Sequence, residues 1–224
     1  MILLSYEIGK NTPVYGGSGF PEVTQGKCLD HGDSCNTLNL NFSNHTGTHI
    51  DCPFHFDPNG KRLTDYPAEF WFSTKVSLLD LDKKPEAGTL IGPEHIGTKA
   101  NLLDPKTEIL FLKTHWGDSR SSEEYWKNPP GIAPDMSDFL RNTFVNLRIF
   151  GFDLISLSSY TNREVGRTAH RKFLNRKDPI LILEDVNFLN LGSDILKLQN
   201  VLIAPLWLEG ADGSPCTVFG NVGL

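Results

Sequence analysis

The sequence predicts an α/β protein built on a mixed, strand-rich sheet with short helices, and three observations carry that expectation. Short apolar runs at residues 75–81, 109–112, 149–155, 180–183 and 201–206 have the length and composition of strands. Segments with helical starts lie between some of them. Strand signals outnumber helix signals, which favours a mixed sheet over a doubly wound parallel one.

In chain order, Lys75-Val76-Ser77-Leu78-Leu79-Asp80-Leu81 opens the series of strands. Gly92-Pro93-Glu94-His95-Ile96 reads as a short helix start, with proline at an early turn position. Ile109-Leu110-Phe111-Leu112 is the second strand. Asp135 is a capping-type residue ahead of a segment with an apolar face, Met136 to Arg141. The strand at 149–155 follows, and then a helix over 168–174. Ile180-Leu181-Ile182-Leu183 and Val201-Leu202-Ile203-Ala204-Pro205-Leu206 complete the strands. The Pro/Gly-rich stretches at 11–21 and 128–134 read as surface loops, the second as a lid or a subunit contact. With no internal repeat, low-complexity tract or linker, one domain over 1–224 is expected.

A chain of 224 residues is long enough for a substantial core. Its net charge of −6 argues against a nucleic-acid partner, because phosphate neutralisation needs an excess of Lys and Arg. No apolar span is long enough for a membrane. Glu7 comes too early for a secretory signal, so a cytoplasmic protein is expected. Cys28, Cys35, Cys52 and Cys216 form no Cys-x-x-Cys pair and are expected to be reduced thiols.

The most informative segment is His45-Thr46-Gly47-Thr48-His49-Ile50-Asp51-Cys52-Pro53-Phe54-His55. Imidazole and carboxylate together are the usual ligands of zinc, manganese or iron. Gly47 and Pro53 disfavour a helix. In an extended chain, residues 45, 49, 51 and 55 share one face, and Cys52 points behind it. Yet positions four apart in a straight strand are roughly 13 Å apart, too far for one ion. The chain must therefore bend, and Gly47 is the residue that bends at least cost. His45, His49 and Asp51 then supply three ligands and leave a position open for water, whose pKa falls to about 7 on a catalytic metal. His55 is left as a spare imidazole suited to proton transfer. A metal-free polar loop, a single-iron oxygenase and a non-catalytic metal- or ligand-binding protein are the competing readings.

The same segment resembles the signature His-x-Gly-Thr-His-x-Asp-x-Pro-x-His of the cyclase family of metal-dependent hydrolases, which includes bacterial kynurenine formamidases and isatin hydrolases. Further matches are Thr168-Ala169-His170-Arg171, Ile182-Leu183-Glu184-Asp185, and Pro205-Leu206 through Gly210-Ala211-Asp212-Gly213-Ser214-Pro215. The opening loop Thr12-Pro13-Val14-Tyr15 is also similar, so the resemblance spans nearly the whole chain. It implies a swivelling β/β/α fold, homo-oligomers (dimer or tetramer) and two divalent ions per subunit, Zn2+ or Mn2+. It places His45, His49 and Asp51 on the first metal, Asp51 as a bridge, and His170 with Glu184 on the second. His55 matches the catalytic acid/base and Tyr15 a substrate contact.

The departures from the family pattern fall on the substrate side. Tyr15 is followed by Gly16-Gly17-Ser18-Gly19 where a Pro-Gly-Asp turn is common, and Cys216-Thr217 follow the last motif. The interval from His170 to Glu184, containing Asn175-Arg176-Lys177-Asp178, is slightly long. The implied chemistry is attack of metal-bound hydroxide on a small-molecule amide carbonyl, with His55 returning the proton to the departing nitrogen. An arylamine leaves more readily than an alkylamine, which points to N-formyl aryl amides or cyclic aryl lactams, with a cyclic amide or lactone hydrolase as the alternative. Tyr15, Phe20, Trp71 and Trp116 are candidates for an aromatic pocket, and His115 for its rim. His31 reads as solvated and His95 as structural.

Overall fold

In the computed structural model, which describes residues 1–174, 177–191 and 198–223, two edge strands of one sheet are neighbours in the chain. The strands are β1 (Ile2–Leu3), β2 (Glu22–Gln25), β3 (Leu38–Asn41), β4 (His49–Asp51), β5 (Phe72–Ser73), β6 (Val76–Asp80) and β7 (Leu90–Ile91). They continue as β8 (Ile109–Lys113), β9 (Gly131–Ile132), β10 (Ile149–Phe152), β11 (Leu181–Glu184), β12 (Leu198–Pro205) and β13 (Gly213–Val222). The helices are α1 (Gly97–Ala100), α2 (Glu124–Lys127), α3 (Met136–Thr143) and α4 (Arg163–Leu174). The main sheet runs β5-β12-β13-β4-β11-β10-β8-β6, with β1 added to β13. Only Thr74 and Lys75 separate the outer strands β5 and β6, so the sheet must curl until its edges nearly meet, as a barrel does.

The sheet is mixed, as the strand-rich sequence predicts. β6, β8, β10 and β11 are parallel, and β11, β4, β13, β12 and β5 pair antiparallel. Parallel strands lie under cover on both faces and so read as continuous apolar runs. Phe111, Ile149, Leu181 and Leu183 point into the barrel with Ile50, Cys52, Val201 and Val218. Leu110, Leu112, Phe150 and Ile182 point outward, under Met136 and Leu140 of α3 and Ala169 and Phe173 of α4. Cys52 is fully buried in the inner cluster, behind the His/Asp face, as its parity requires.

Several sequence expectations are corrected. The strand expected at 149–155 ends at Phe152, and residues 153–159 leave the sheet to run beneath α4. The stretch 128–134 is not a surface loop: Pro129, Pro130, Gly131 and Ile132 are buried, and β9 pairs in parallel with β7. Glycine is required there, because a Cβ on Gly131 would stand 2.6 Å from the Ser159 nitrogen. In the stretch 11–21, Thr12, Pro13 and Val14 are buried and carry Tyr15 into a cavity. The helix start at 92–96 is a single 3-10 turn, Pro93–His95, leading into α1. β13 escaped the sequence reading because Gly213, Pro215 and Gly220 interrupt its apolar pattern. Asn175 and Arg176, in the long interval after His170, lie outside the described residues.

Helix α4 packs on residues 156–158 through Gly166, where a Cβ would fall on the Ser158 side chain and within 2.8 Å of its Cα. Gly166→Ala is expected to push α4 outward and to cost about 1–3 kcal/mol, read by denaturant unfolding. An unchanged unfolding midpoint would contradict this packing.

Candidate metal centre

Gly47 adopts φ +65°, the left-handed region that glycine enters without strain, and turns the chain between His45 and His49. Beyond the turn, β4 puts His49 and Asp51 on the outer face of the barrel and Ile50 on the inner one. Antiparallel pairing with β11 sets Glu184 opposite His49 and Ile182 opposite Asp51. The outer face of β11 therefore changes from apolar to acidic at its last residue. α4 lies over that point and lowers His170 onto it. Pro53 starts a 3-10 turn, Pro53–His55, that brings His55 back beside His45, with ring centroids 4.3 Å apart.

Asp51 and Glu184 are each at most 3 % exposed and divide their oxygens between the imidazoles. Asp51 Oδ1 stands 2.9 Å from His45 Nδ1 and 3.5 Å from His49 Nε2, and its Oδ2 stands 3.7 Å from His170 Nε2. Glu184 Oε2 is 3.3 Å from His49 Nε2 and Oε1 is 3.6 Å from His170 Nε2. The other nitrogens of these two rings are committed elsewhere. His49 Nδ1–H donates to the Gly47 carbonyl at 2.8 Å, and His170 Nδ1–H donates to the Gly166 carbonyl at 2.9 Å. A carbonyl only accepts, so Nδ1 carries the proton and Nε2 faces the carboxylates. Glu184 is fixed from behind by the Leu157 N–H, donating to Oε1 at 2.6 Å.

This donor set fits a divalent cation. Metal-binding histidines characteristically donate their far N–H to a carbonyl, which fixes ring and tautomer. Four ligand atoms about 2.0–2.1 Å from a tetrahedral ion lie roughly 3.3 Å from each other, close to the Nε2–carboxylate separations here. Among the described residues, two sets hold three ligand atoms within 4.8 Å of one another: His45, Asp51 and His55, and His49, Asp51 and Glu184.

With no cation, protons must take its place. Burial disfavours charge on His49 and His170, but Glu184 and Asp51 raise both above the ordinary imidazole value. Asp51 is held well below the usual carboxylate range by His45 and His49, against its burial. Glu184 is lowered as well, by His170 and His49, although burial and Asp51 oppose this. Burial also opposes charge on His45, yet Asp51 and Asp212 push it up to about 10.

Asp212 is the residue the sequence reading left without a role. Its Oδ2 accepts from His45 Nε2 at 3.0 Å and from His55 Nδ1 at 2.7 Å, and its Oδ1 accepts from the Asn44 amide at 2.7 Å. The one signal available was an acid between small residues just ahead of a matching Gly-Ser-Pro.

The proposed metal ligands His45, His49, Asp51, His170 and Glu184, the acid/base candidate His55 and the substrate-contact candidate Tyr15 line one cavity of about 320 Å³. That is the scale of a small-molecule site. Phe56, Arg163 and Arg167 also line it and were not anticipated. Of the four aromatic candidates only Tyr15 lies there, edge-on to Tyr160. Trp71 and Trp116 are core residues, and Phe20 is exposed against Trp126. His115 turns away to the Leu81 carbonyl and Asp80, His95 bonds within its own turn, and His31 is exposed.

Comparison with known proteins agrees with this architecture. The cyclase family model matches residues 2–159. The kynurenine formamidase of Geobacillus thermodenitrificans is 29% identical over 214 residues, 95% of this chain and 92% of its own length. That of Bacillus mycoides is 31% identical over 189 residues, 83% of this chain and 80% of its own. Isatin hydrolase A from Labrenzia aggregata, bound to benzyl benzoate, has the same fold, with a TM-score of 0.76 at 20% identity over 99% of this chain and 93% of that one. The chain belongs to the cyclase family, and it is a hydrolytic enzyme. No helix among the described residues is long and apolar enough to cross a membrane.

The charges define a stability optimum for protein stripped of metal. The raised His45 contributes stability that is complete below its ordinary value of 6.5 and is lost as pH rises through about 10. The lowered Asp51 and Asp212 contribute stability that is present above 3.8 and is lost as pH falls. Thermal unfolding after chelation is expected to peak between those limits. A Tm that climbs steadily into the alkaline range would contradict the assignment.

Proposed function

We propose that this enzyme hydrolyses the C–N bond of an aryl amide, with an N-formyl arylamine of the N-formylkynurenine kind as the leading substrate class. The supporting observation is the arrangement of nitrogens: His49 and His170 turn Nε2 toward two shared carboxylates, while His55 stands beside them with Nδ1 tied to Asp212. The metal ligands in this reading are His45, His49, Asp51, His170 and Glu184. Two cations are proposed, zinc or manganese, because Asp51 faces His45 and His49 with one oxygen and His170 with the other. When bound, they would supply Lewis acidity to the carbonyl oxygen and acidify a coordinated water.

The remaining steps belong to the chain's own side chains. Asp212 can only accept from His55 Nδ1, so the neutral ring offers its Nε2 lone pair to the cavity. There His55 takes a proton from water as the oxygen adds to the carbonyl carbon. The C–N bond breaks, and the same nitrogen returns the proton to the departing amine. Phe56 stacks on the His170 ring at 4.8 Å and 23°, shielding it from solvent. Burial raises the Tyr15 hydroxyl pKa, which keeps it a hydrogen-bond donor toward substrate. Opening a cyclic aryl amide needs the same steps, and the fold shared with isatin hydrolase supports it as the second reading.

A cytoplasmic homo-oligomer is part of this proposal. Its support is the four free cysteines and the exposed Leu29, Leu38 and Leu40 on and beside the β2–β3 hairpin.

His55→Ala is expected to keep its metal, by plasma emission analysis, while turnover of N-formylkynurenine or isatin drops about 10²–10⁴-fold. Asp51→Ala is expected to lose both. Wild-type turnover in His55→Ala would overturn the acid/base assignment.

A further inference from the structure

Two guanidinium groups stand in the same cavity as the carboxylate–imidazole cluster, and the proposed chemistry uses neither. Arg163, Arg167 and His170 occupy i, i+4 and i+7 of α4, a single helix face, and all three line the cavity. At about 1.5 Å of rise per residue, Arg167 lies roughly 4.5 Å and Arg163 roughly 10.5 Å along the axis from His170. That interval spans an aromatic ring and one substituent.

Both arginines are exposed. Arg163 lies over the Tyr160 ring, 4.9 Å from its centroid, and its charge acts on the Tyr15 hydroxyl. Among the described residues it has no carboxylate partner. Among the described residues Arg167 pairs only with Glu164, three residues earlier on the same exposed helix surface, a contact that a ligand can replace at little cost. The acidic groups of the cavity, Asp51 and Glu184, are already matched by imidazoles, and Asp212 beside it by His45 and His55. Arg163 therefore brings the cavity positive charge that no carboxylate among the described residues matches, and Arg167 adds a second charge held only by an exposed pair, on a chain whose net charge is −6.

We propose that Arg163 and Arg167 form an anion subsite, which makes this enzyme selective for amides that carry a carboxylate on the aryl group or its side chain. The inference rests on the amide-hydrolase reading for its substrate, but the subsite itself is a feature of α4. The guanidinium fork pairs with a carboxylate through two parallel N–H donors. With the scissile carbonyl at the cluster, the aryl ring lies alongside the stretch lined by Phe56 and Tyr15, and the carboxylate reaches the arginines. A neutral aryl amide fills the same cavity without that anchor.

Steady-state kinetics of the as-purified protein on 2- and 4-formamidobenzoate, against neutral formanilide, provides the test. Calorimetry with benzenesulfonate, an anion that ligates metals weakly, adds a readout independent of turnover. In Arg163→Gln, the ratio of kcat/KM for the better formamidobenzoate to that for formanilide is expected to fall about tenfold or more, through KM. Arg163→Lys should recover part of the loss, and Arg167→Gln should show a smaller loss of the same kind. Benzenesulfonate affinity should weaken in parallel. Equal ratios and equal sulfonate affinity in wild type and Arg163→Gln would overturn the subsite. Sulfonate binding that depends on Arg163, with all three amides inert, would uphold the subsite and overturn the hydrolase reading instead.

Discussion

Asp51 and Glu184 are buried side by side on paired strands, and their negative charge is the constraint around which the rest of the site is organised. Two carboxylates out of water cannot both stay ionised unless positive charge meets them. Three imidazoles converge on the pair, with nitrogens 2.9 to 3.7 Å from its oxygens. Whatever occupies the space between must be cationic, whether protons or metal. Removing one partner from such a buried set typically costs about 3–5 kcal/mol, because it strands the remaining charge. The centre is thus part of what holds α4 against the barrel, as well as the place proposed for the chemistry.

The barrel makes this arrangement reproducible. Alternation along β4 sends Ile50 into the inner core and leaves His49 and Asp51 on the outer face. Register with β11 then decides that Glu184, and not Leu183, meets them. The parallel strands β8, β10 and β11 contribute only Glu184 to the proposed ligand set; they supply the apolar frame. The side chains at and beside the proposed proton carrier come from irregular chain: His45 ahead of a glycine bend, His55 on a 3-10 turn, and Asp212 just before β13. Asp212 ties His45 to His55, so the proposed ligand and the proposed proton carrier share one anchor.

Most of the site was legible because its residues are crowded in sequence. The eleven residues from His45 to His55 announce a bend, a shared face and a metal, and the bend lies at Gly47. His170 and Glu184 were nominated by family resemblance alone; a lone histidine on a helix and an acid at a strand end carry no local signal. Asp212, Arg163 and Arg167 were missed for different reasons. Asp212 meets its partners only through a contact more than 150 residues away. The arginines are readable only once α4 is known to begin at Arg163, so that they share a face with His170. The fold was legible in its parallel strands, where both faces are apolar. It was illegible in β13, where glycine and proline sit in a strand, and at 128–134, where buried prolines resemble a loop.

The central claim is that cations replace protons between Asp51, Glu184 and the imidazoles. Its most direct test is calorimetric titration of chelator-treated protein with zinc or manganese at neutral pH, in two buffers of different ionisation enthalpy. The account predicts saturable binding accompanied by proton release, abolished in Asp51→Ala. Absence of saturable binding, or binding that persists unchanged in Asp51→Ala, would contradict it.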